Sequence, residues 1–463
     1  LRRHALVRDE GGTPRVPSLD RAPSPRTTGG VSFAERLPPP DARRVYTDAS
    51  GPDLTDARNA VRPENRALDA GRLGLAATGH GAPGTERARV ELLQWLRGAD
   101  VDDADGDGDR RESRRELGAM HQSPVVLLGA DGERTVFAGS ADGLLHAFDG
   151  AGRERWAYVP GVLLESLGGL REAAPSGRRR DGVGGELRLH LAGDDGDGRL
   201  DATRGERALL YLALRRGGRA YVALDVTHPA QPRHLWTLTP RELPALGQTW
   251  AAPVPARLTL AGSGQHASGL VVVLAGGYDP ALDRGASRAR DRLGAGLHLV
   301  DGWSGRRLWS ASAQVPRDAL AAAGPARPSH APAVPHLLVP GLRYAIAATP
   351  RVIDLDGDGE LDLVYVADTG GQLWRFAFER GAPASRAARA TRIAALGGAG
   401  AADRRFHAEP DVAQVVSGPG TPYLAVTLGS GAAAEPLDLR RADRLYSIRE
   451  PLDAYGRPRD TAT

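Results

Sequence analysis

The feature that most constrains the fold of this chain is a repeated pattern of β-strand, glycine turn and tryptophan. From about residue 123 onward, short apolar runs rich in Val, Leu and Tyr alternate with turns that contain Gly, which is typical of β-strands. Three runs end in an aspartate, at equal intervals along the chain, and a tryptophan follows each one. These residues are Asp149, Asp225 and Asp301, with Trp156, Trp236 and Trp309. A fourth variant ends at Trp374, and weaker fifth material follows in "YLAVTLGSG" and "DRLYSIRE".

Repeats of this kind predict an all-β fold built from radially stacked sheets, because one small sheet cannot bury both of its faces and needs neighbours. A β-propeller is the natural closure of such a stack. The interval between repeats exceeds the roughly 40 to 50 residues of a simple blade, so the blades must carry insertions or share strands. Each tryptophan is expected to pack between adjacent blades.

Composition divides the chain into four segments. Residues 1–50 are rich in Pro and Arg and lack hydrophobic periodicity, which predicts an extended leader segment. Residues 51–117 carry helix formers in "DLTDARNAVRPENRALDAGRLG" and "TERARVELLQWLRG" together with an acidic loop, and we expect them to pack on the propeller. Residues 118–450 are the predicted propeller, and residues 451–463 form a C-terminal tail.

We identify no signal peptide and no membrane-spanning segment in this sequence. The chain begins at Leu rather than Met and contains no apolar run of about eighteen residues. We therefore expect a processed chain or a fragment, with no membrane-spanning segment and no intact signal peptide.

An acidic loop lies between two apolar β runs in "VIDLDGDGELDLVYV". Carboxylates this close repel one another, so the compact loop predicts a bound cation. Oxygen ligands without His or Cys favour Ca²⁺, which accepts six to eight oxygens. The predicted ligands are the carboxylates of Asp354, Asp356, Asp358 and Asp362, and the backbone carbonyl of Glu360. A strand rather than a helix follows, so the loop is EF-like without the helices of an EF-hand.

Two further acidic stretches are weaker candidates. In the first, the position that corresponds to Asp362 is Arg111, which cannot close a calcium shell. In the second, Gly193 replaces the first ligand. A solvated acidic loop is the alternative for both. The residues concerned are Asp103, Asp105, Asp107 and Asp109 in the first stretch, and Asp195, Asp197 and Asp201 in the second.

Other chemistry is poorly supported, and the sequence favours a protein that is not an enzyme. There is no Cys and no Lys, which excludes disulfides, thiolate sites and a Walker A loop. The net charge of +3 is small and the charges are interleaved, so no nucleic-acid surface is indicated. The histidines form no HExxH cluster and no GxSxG elbow occurs. His121 and His146 are expected to be packing or hydrogen-bonding residues.

The motifs together resemble the C-terminal domain of the PilY/PilC family of type IV pilus tip adhesins and pilus-biogenesis factors. The resemblance rests on their order: "SPVVLLG", "VFAGSADGLLHAFDGAGRERWAYVP", "RRGGRAYVALDVT", "LGQTWAAPV", "VIDLDGDGELDLVYVADTGGQLWRF" and "DRLYSIRE". Upstream, "PDARRVYT" and "LLQWLRG" resemble the segments that precede this domain, so the resemblance extends over nearly the whole chain.

This resemblance implies a modified seven-bladed propeller that is exported and displayed at the pilus tip or the outer cell surface. It implies minor pilins as partners, and a host or abiotic surface as an adhesion target. In the family a calcium loop of the DxDxDxxxD kind couples Ca²⁺ to pilus extension and retraction, and Asp354, Asp356, Asp358 and Asp362 match it. An RGD tripeptide is missing; only "RGAD" occurs, at residues 97–100, which leaves an integrin-type contact without support.

Two alternatives from other classes remain open. The repeats also resemble those of quinoprotein propeller dehydrogenases, which would place Ca²⁺ and an organic cofactor on the propeller axis. Here the acidic loop lies within one strand pair, and the vicinal cysteines of many such enzymes are absent. The other alternative is an integrin-like calcium-propeller that serves as a binding scaffold.

Overall fold

The structure is a computed structural model. It describes residues 2–3, 7–8, 14–15, 31–75, 83–114, 116–120, 126–129, 134–171, 181–193, 200–284, 290–315, 334–416, 422–433 and 441–459. The chain forms two compact units. The first comprises Leu1–Gly184, Leu191–Ala208 and Asp225–His234. The second comprises Gly185–His190, Leu209–Leu224 and Leu235–Thr463.

The regular secondary structure of the described residues is mainly β-strand, which confirms the predicted all-β class. Four two-residue strands near the N-terminus pair as β1 with β4 and β2 with β3. They are β1 (Arg2–Arg3), β2 (Val7–Arg8), β3 (Pro14–Arg15) and β4 (Val31–Ser32). The first large sheet has the order β5-β9-β8-β7-β6, with β5 parallel to β9 at one edge. Its strands are β5 (Val45–Thr47), β6 (Val126–Leu128), β7 (Thr135–Gly139), β8 (Leu145–Asp149) and β9 (Glu154–Val159).

Four more sheets follow, each built from strands that are consecutive in sequence. The second contains β10 (Leu187–Ala192), β11 (Arg207–Ala213), β12 (Tyr221–Asp225) and β13 (Arg233–Leu238). The third contains β14 (Val254–Arg257), β15 (Leu270–Ala275), β16 (Gly296–Asp301), β17 (Arg307–Ser312) and β18 (His336–Leu338). The fourth contains β19 (Arg351–Ile353), β20 (Leu363–Ala367), β21 (Gln372–Phe378) and β22 (Ala388–Ala395). The fifth contains β23 (Asp411–Val415), β24 (Tyr423–Gly429) and β25 (Leu445–Pro451).

Helices are few among the described residues. The α-helices there are α1 (Pro83–Leu96) and α2 (Leu167–Arg171). Short 3-10 helices occupy Ala34–Arg36, Ala57–Asn59, Gly161–Ser166, Ala202–Arg204, Arg215–Gly217, Pro280–Arg284, Ala384–Arg386 and Gly400–Ala402. None of these helices is long and apolar enough to cross a membrane.

The cores of the second unit lie between successive sheets, because central strands present apolar side chains on both faces. Strand β15 is an example: alternate residues enter two different cores, one shared with the second sheet and one with the fourth. Strand β20 repeats the arrangement between the third and fifth sheets. The alternating sets are Leu270, Val272 and Leu274 against Val271, Val273 and Ala275 in β15, and Val364 and Val366 against Leu363, Tyr365 and Ala367 in β20.

Three of the repeated tryptophans, Trp236, Trp309 and Trp374, belong to these cores, and Trp156 is buried in the first unit. Trp309 is 1% exposed and packs edge-on against Phe376 and Phe378 of the fourth sheet, with ring centroids 6.0 and 5.2 Å apart. The indole of Trp236 donates a hydrogen bond to the carbonyl of Gly302 at 3.1 Å. Both side chains therefore link one sheet of the second unit to the next.

Helix α1 confirms the helix expected from the helix formers of "TERARVELLQWLRG". Its apolar stripe is buried through Leu92, Leu93 and Leu96. The segment 53–75 contains helix formers but forms a single 3-10 turn and irregular backbone. The amide of Asn65 donates to the carbonyls of Arg58 and Ala60, and such local bonds compete with the helical ladder.

A buried ion pair crosses the first sheet of the first unit. The guanidinium of Arg43 donates to both carboxylate oxygens of Glu154, at 2.5 and 2.8 Å. His146 adds a contact of 2.8 Å to Glu154 and one of 2.9 Å to the hydroxyl of Ser140, so its predicted hydrogen-bonding role is confirmed. His121 lies outside the described residues. Burial tends to raise the pKa of Glu154, but the charge of Arg43 and the bond with His146 overcome it and lower the pKa to about 2.

Because the pKa of Glu154 falls on folding, this carboxylate stabilises the first unit above its unfolded pKa of about 4.3. That stability is lost as the pH drops through the folded pKa, about 2. We expect Glu154→Gln to lower the free energy of unfolding by about 3 kcal/mol at pH 7, because it leaves a buried guanidinium without its counter-charge. Urea unfolding followed by tryptophan fluorescence measures this.

The difference between Glu154→Gln and the parent should shrink between about pH 4 and pH 2. Glu379→Gln, which removes an exposed carboxylate, is the control and should change the unfolding free energy little. A pH-independent difference would contradict an ionised Glu154.

Candidate metal centre

The acidic loop, residues 354–362, connects two antiparallel strands of the fourth sheet. Strands β19 and β20 pair with Ile353 opposite Leu363, so the loop leaves the ladder at its last rung. The amide of Asp362 donates to the carbonyl of Ile353 at 3.0 Å. The amide of Leu361 donates to the carbonyl of Arg257, in β14, at 2.7 Å. The loop therefore begins and ends on fixed backbone.

Asp354 sets the shape of the loop tip. One of its carboxylate oxygens accepts the amide of Gly357 at 2.7 Å, and the other accepts the amide of Gly359 at 2.8 Å. These glycines have φ angles of 80° and 82°, a left-handed conformation that other residues adopt at a cost. The two Gly in the motif thus form the tight turn at the loop tip.

Three of the predicted ligands converge. One carboxylate oxygen from each of Asp354, Asp356 and Asp362 lies within 4.8 Å of the other two. Asp354 and Asp356 are exposed, whereas Asp362 is half-buried and accepts the amide of Leu355 at 2.6 Å. Three hard oxygen donors at this separation can hold a divalent cation of the calcium or magnesium type.

Two of the predicted ligands have other partners. Asp358 accepts the guanidinium of Arg380 at 2.5 Å and the amide of Glu360 at 2.8 Å, and it is outside the group of three. The Glu360 carboxylate is buried and accepts both the amide and the hydroxyl of Thr259, at 3.0 and 2.9 Å. The side chain of Glu360 is thus a structural link to the third sheet, and its proposed ligand role depends on its carbonyl oxygen.

The pKa shifts also distinguish Asp362, in the group of three, from Asp358, which has other partners. Burial raises the pKa of Asp362, and the charges of Asp356 and Asp354 raise it further, against the hydrogen bond from Leu355. The amide of Glu360 and then the guanidinium of Arg380 lower the pKa of Asp358. Negative charge at the group of three is therefore poorly compensated within the chain, which is the condition that favours a bound cation.

The acidic loop of the first unit has a similar local geometry. The carboxylate of Asp103 accepts the amide five residues ahead, Gly108, at 3.0 Å, as Asp354 does with Gly359. Carboxylate oxygens of Asp103, Asp105 and Asp107 lie within 4.8 Å of one another. Asp109 is outside that group and accepts the amide of Arg111 at 2.9 Å.

Sequence reasoning missed two acidic residues of this loop. Asp100 and Glu112 form a second group with Asp105, again within 4.8 Å. Asp105 and Asp107 raise the pKa of Glu112 through their charges. Aligned residue by residue with the loop that ends at Asp362, this stretch has Arg111 at the last ligand position. The carboxylate that joins the cluster is that of the next residue, Glu112.

The third acidic stretch is only partly described. Asp195 and Asp197 lie outside the described residues. Asp201 begins the 3-10 helix Ala202–Arg204, and its carboxylate accepts both the amide and the hydroxyl of Thr203, at 2.9 and 2.6 Å. The carboxylate thus caps this helix, and it also pairs with the guanidinium of Arg204 at 3.4 Å.

No family model matches the chain. A type IV pilus biogenesis factor PilY1 homolog of Xylella fastidiosa is 32% identical over 244 residues, which cover 52% of this chain and 14% of that protein. The type IV pilus biogenesis factor PilY1 of Pseudomonas aeruginosa is 29% identical over 241 residues, which cover 52% of this chain and 17% of that protein. These relatives confirm the family resemblance predicted from the motifs. The chain spans less than a fifth of the length of either relative.

Among solved structures, the crystal structure of the Pseudomonas aeruginosa PilY1 C-terminal domain aligns with a TM-score of 0.46 and 23% identity. The alignment covers 69% of this chain and 57% of that chain.

The loop tip supplies a stability prediction. A Cβ at Gly359 meets no neighbour within 4 Å, so Gly359→Ala tests the backbone conformation alone. We expect a loss of about 1 kcal/mol in the free energy of unfolding of the second unit, because Ala resists a positive φ. Gly431→Ala, which has equal space and no left-handed φ, is the control and should not be destabilising. Chemical denaturation measures both; equal effects would mean that the left-handed φ of Gly359 has no energetic cost for Ala.

Proposed function

We propose that this chain, a sequence relative of the PilY1 type IV pilus biogenesis factors, is a calcium-binding domain that regulates pilus extension and retraction. The observation that carries the proposal is the convergence of three carboxylates in a loop that matches the family's calcium motif. The domain acts by binding and not by catalysis. Its partners are the minor pilins at the pilus tip, and its location is the pilus or outer surface after export.

The donor set fits Ca²⁺ better than other common ions. All predicted donors are carboxylate or carbonyl oxygens, whereas zinc sites are usually built from Cys and His. The Asp354, Asp356 and Asp362 carboxylates would hold the ion, together with the carbonyl of Glu360. Asp358 would join them by exchanging its ion pair with Arg380, 2.5 Å away, for the ion. Bound Ca²⁺ would supply the positive charge that the three carboxylates lack.

For the fold, we propose the modified seven-bladed propeller over residues 118–450, with the leader and helical segments packed outside it. Support comes from the consecutive four- and five-stranded sheets and from the strands of the second unit that are buried on both faces. An experimental structure with seven radially arranged sheets would establish the blade number. Two separate sandwiches would refute it.

A calorimetric Ca²⁺ titration of the chain tests the loop. We expect Asp362→Asn to weaken Ca²⁺ binding at this site by at least about tenfold, because it removes a charged ligand while keeping the hydrogen bond from Leu355. Asp103→Asn, the matched change in the other acidic loop, should leave this site unchanged. If Asp362→Asn binds as tightly as the parent, the acidic loop of the first unit becomes the leading candidate.

Arg380→Gln gives a test of the opposite sign. Removing the guanidinium frees Asp358 and removes a positive charge beside the loop, so Ca²⁺ affinity should rise. Weaker binding in Arg380→Gln would mean that Arg380 organises the loop rather than competing with the ion.

Pilus assays test the biological part of the proposal. In the bacterium that encodes this chain, we expect Asp362→Asn in the full-length protein to change the amount of sheared surface pilin while total cellular pilin stays constant. Arg392→Gln, an exposed change on β22, is the control. Normal pili and motility in a strain whose protein has lost Ca²⁺ binding would mean that the metal site does not regulate the pilus.

A further inference from the structure

A basic groove runs along the outer face of strand β5 in the first unit. Two clefts of about 570 and 660 Å³ share Ala42, Arg44 and Tyr46 as lining residues, so they adjoin along this strand. Each volume is in the range of ligand-binding clefts. Val45 and Thr47 alternate with these residues and are 1% and 0% exposed, so the strand is anchored on one face and lines the groove with the other.

Arginines dominate the charge of the groove. Eight line it, against four acidic residues; the arginines are Arg36, Arg43, Arg44, Arg62, Arg97, Arg111, Arg153 and Arg155, and the acids are Asp41, Glu64, Asp149 and Glu154. Arg43 is paired with Glu154, and Arg153 with Asp149. The remaining lining keeps a clear excess of positive charge.

Several of these guanidinium groups have no acceptor within the described part of the chain. Arg44, Arg62 and Arg111 are exposed and make no side-chain hydrogen bond or ion pair there. The Nε atom of Arg155 is buried and has no described hydrogen-bond partner. An unmet buried donor is costly, and a ligand that accepts hydrogen bonds would relieve it.

The positive charges are also close enough to affect one another. Burial lowers the pKa of Arg97, and the guanidinium groups of Arg43 and Arg62 lower it further, against Asp41 and Glu64. Bringing an anion into the groove would relieve this repulsion, and guanidinium groups bind carboxylates through paired hydrogen bonds.

We infer that this groove binds a short acidic peptide segment of a partner protein, through carboxylates that engage Arg44, Arg62 and Arg111. A saccharide is disfavoured because charged side chains dominate the lining: Trp156 is 1% exposed and its indole donates to the carbonyl of Pro229, and the ring of Tyr46 is half-buried. A nucleic acid is disfavoured because Asp41 and Glu64 lie among the arginines of the groove and would repel a continuous phosphate backbone, whereas a peptide can place its carboxylates at the arginines alone. Peptide binding in this groove does not depend on the proposed calcium site.

Fluorescence anisotropy of the full chain tests whether the groove binds an acidic peptide. The probe is fluorescein-labelled Gly-Asp-Glu-Asp-Glu-Gly, and the buffer is free of calcium and of low ionic strength. The parent should bind this peptide, and binding should weaken as salt screens the charges. The double variant Arg44→Gln/Arg62→Gln should lose at least about tenfold in affinity. Arg290→Gln/Arg392→Gln removes the same charge from exposed positions of the second unit and should lose less than about twofold.

Thermal unfolding of each variant, compared with the parent, shows whether the fold is intact. Equal loss in the two double variants would mean non-specific charge attraction and would overturn the site. Equal affinity for Gly-Asn-Gln-Asn-Gln-Gly would overturn the role of the carboxylates. Tighter binding of a single-stranded oligonucleotide of equal charge would overturn the ligand class, as would no measurable binding of the acidic peptide to the parent.

Discussion

Burial of both faces of the central strands is the constraint on which the second unit depends. In β15 and β20 the side chains on odd and even positions enter different cores, so neither strand can tolerate a solvent-exposed face. The third and fourth sheets therefore each need a neighbour on both sides, and Trp236, Trp309 and Trp374 pack in the cores between the sheets. Because stability comes from this apolar burial, the loops that join the strands are free to carry charge.

The acidic loop, which precedes β20, is one such charged loop. Its ends are fixed by backbone hydrogen bonds to Ile353 and Arg257, while its tip depends on Asp354 and two left-handed glycines. Charge is distributed unevenly: Arg380 compensates Asp358, whereas the group of three carboxylates is where we propose that the cation binds. The loop thus holds most of the proposed ligands in place, whereas one of them, Asp358, forms an ion pair with Arg380.

In the first unit, alternate side chains of strand β5 likewise lie on two different faces, one buried in the core and one lining the groove. Val45 and Thr47 enter the core, and the buried network of Arg43, Glu154 and His146 joins the segment before β5 to β8 and β9. Arg44 and Tyr46 consequently have a defined position on the other face. A pair of buried charges is costly to separate, so breaking this network would destabilise the unit, and the intact network fixes where the edge strand lies.

Local patterns in the sequence determined much of this protein. Apolar runs separated by glycine turns predicted the sheets, the helix formers of "TERARVELLQWLRG" predicted α1, and DxDGDG predicted a turn in which carboxylates converge. These features depend on neighbours within a few residues. Tertiary structure decided the rest: Arg380 and Thr259 reach the acidic loop from other parts of the second unit, Glu112 completes a cluster from outside the expected register, and the unpaired arginines meet along β5. Such contacts join residues far apart in sequence, where no local periodicity records which side chains will share a site.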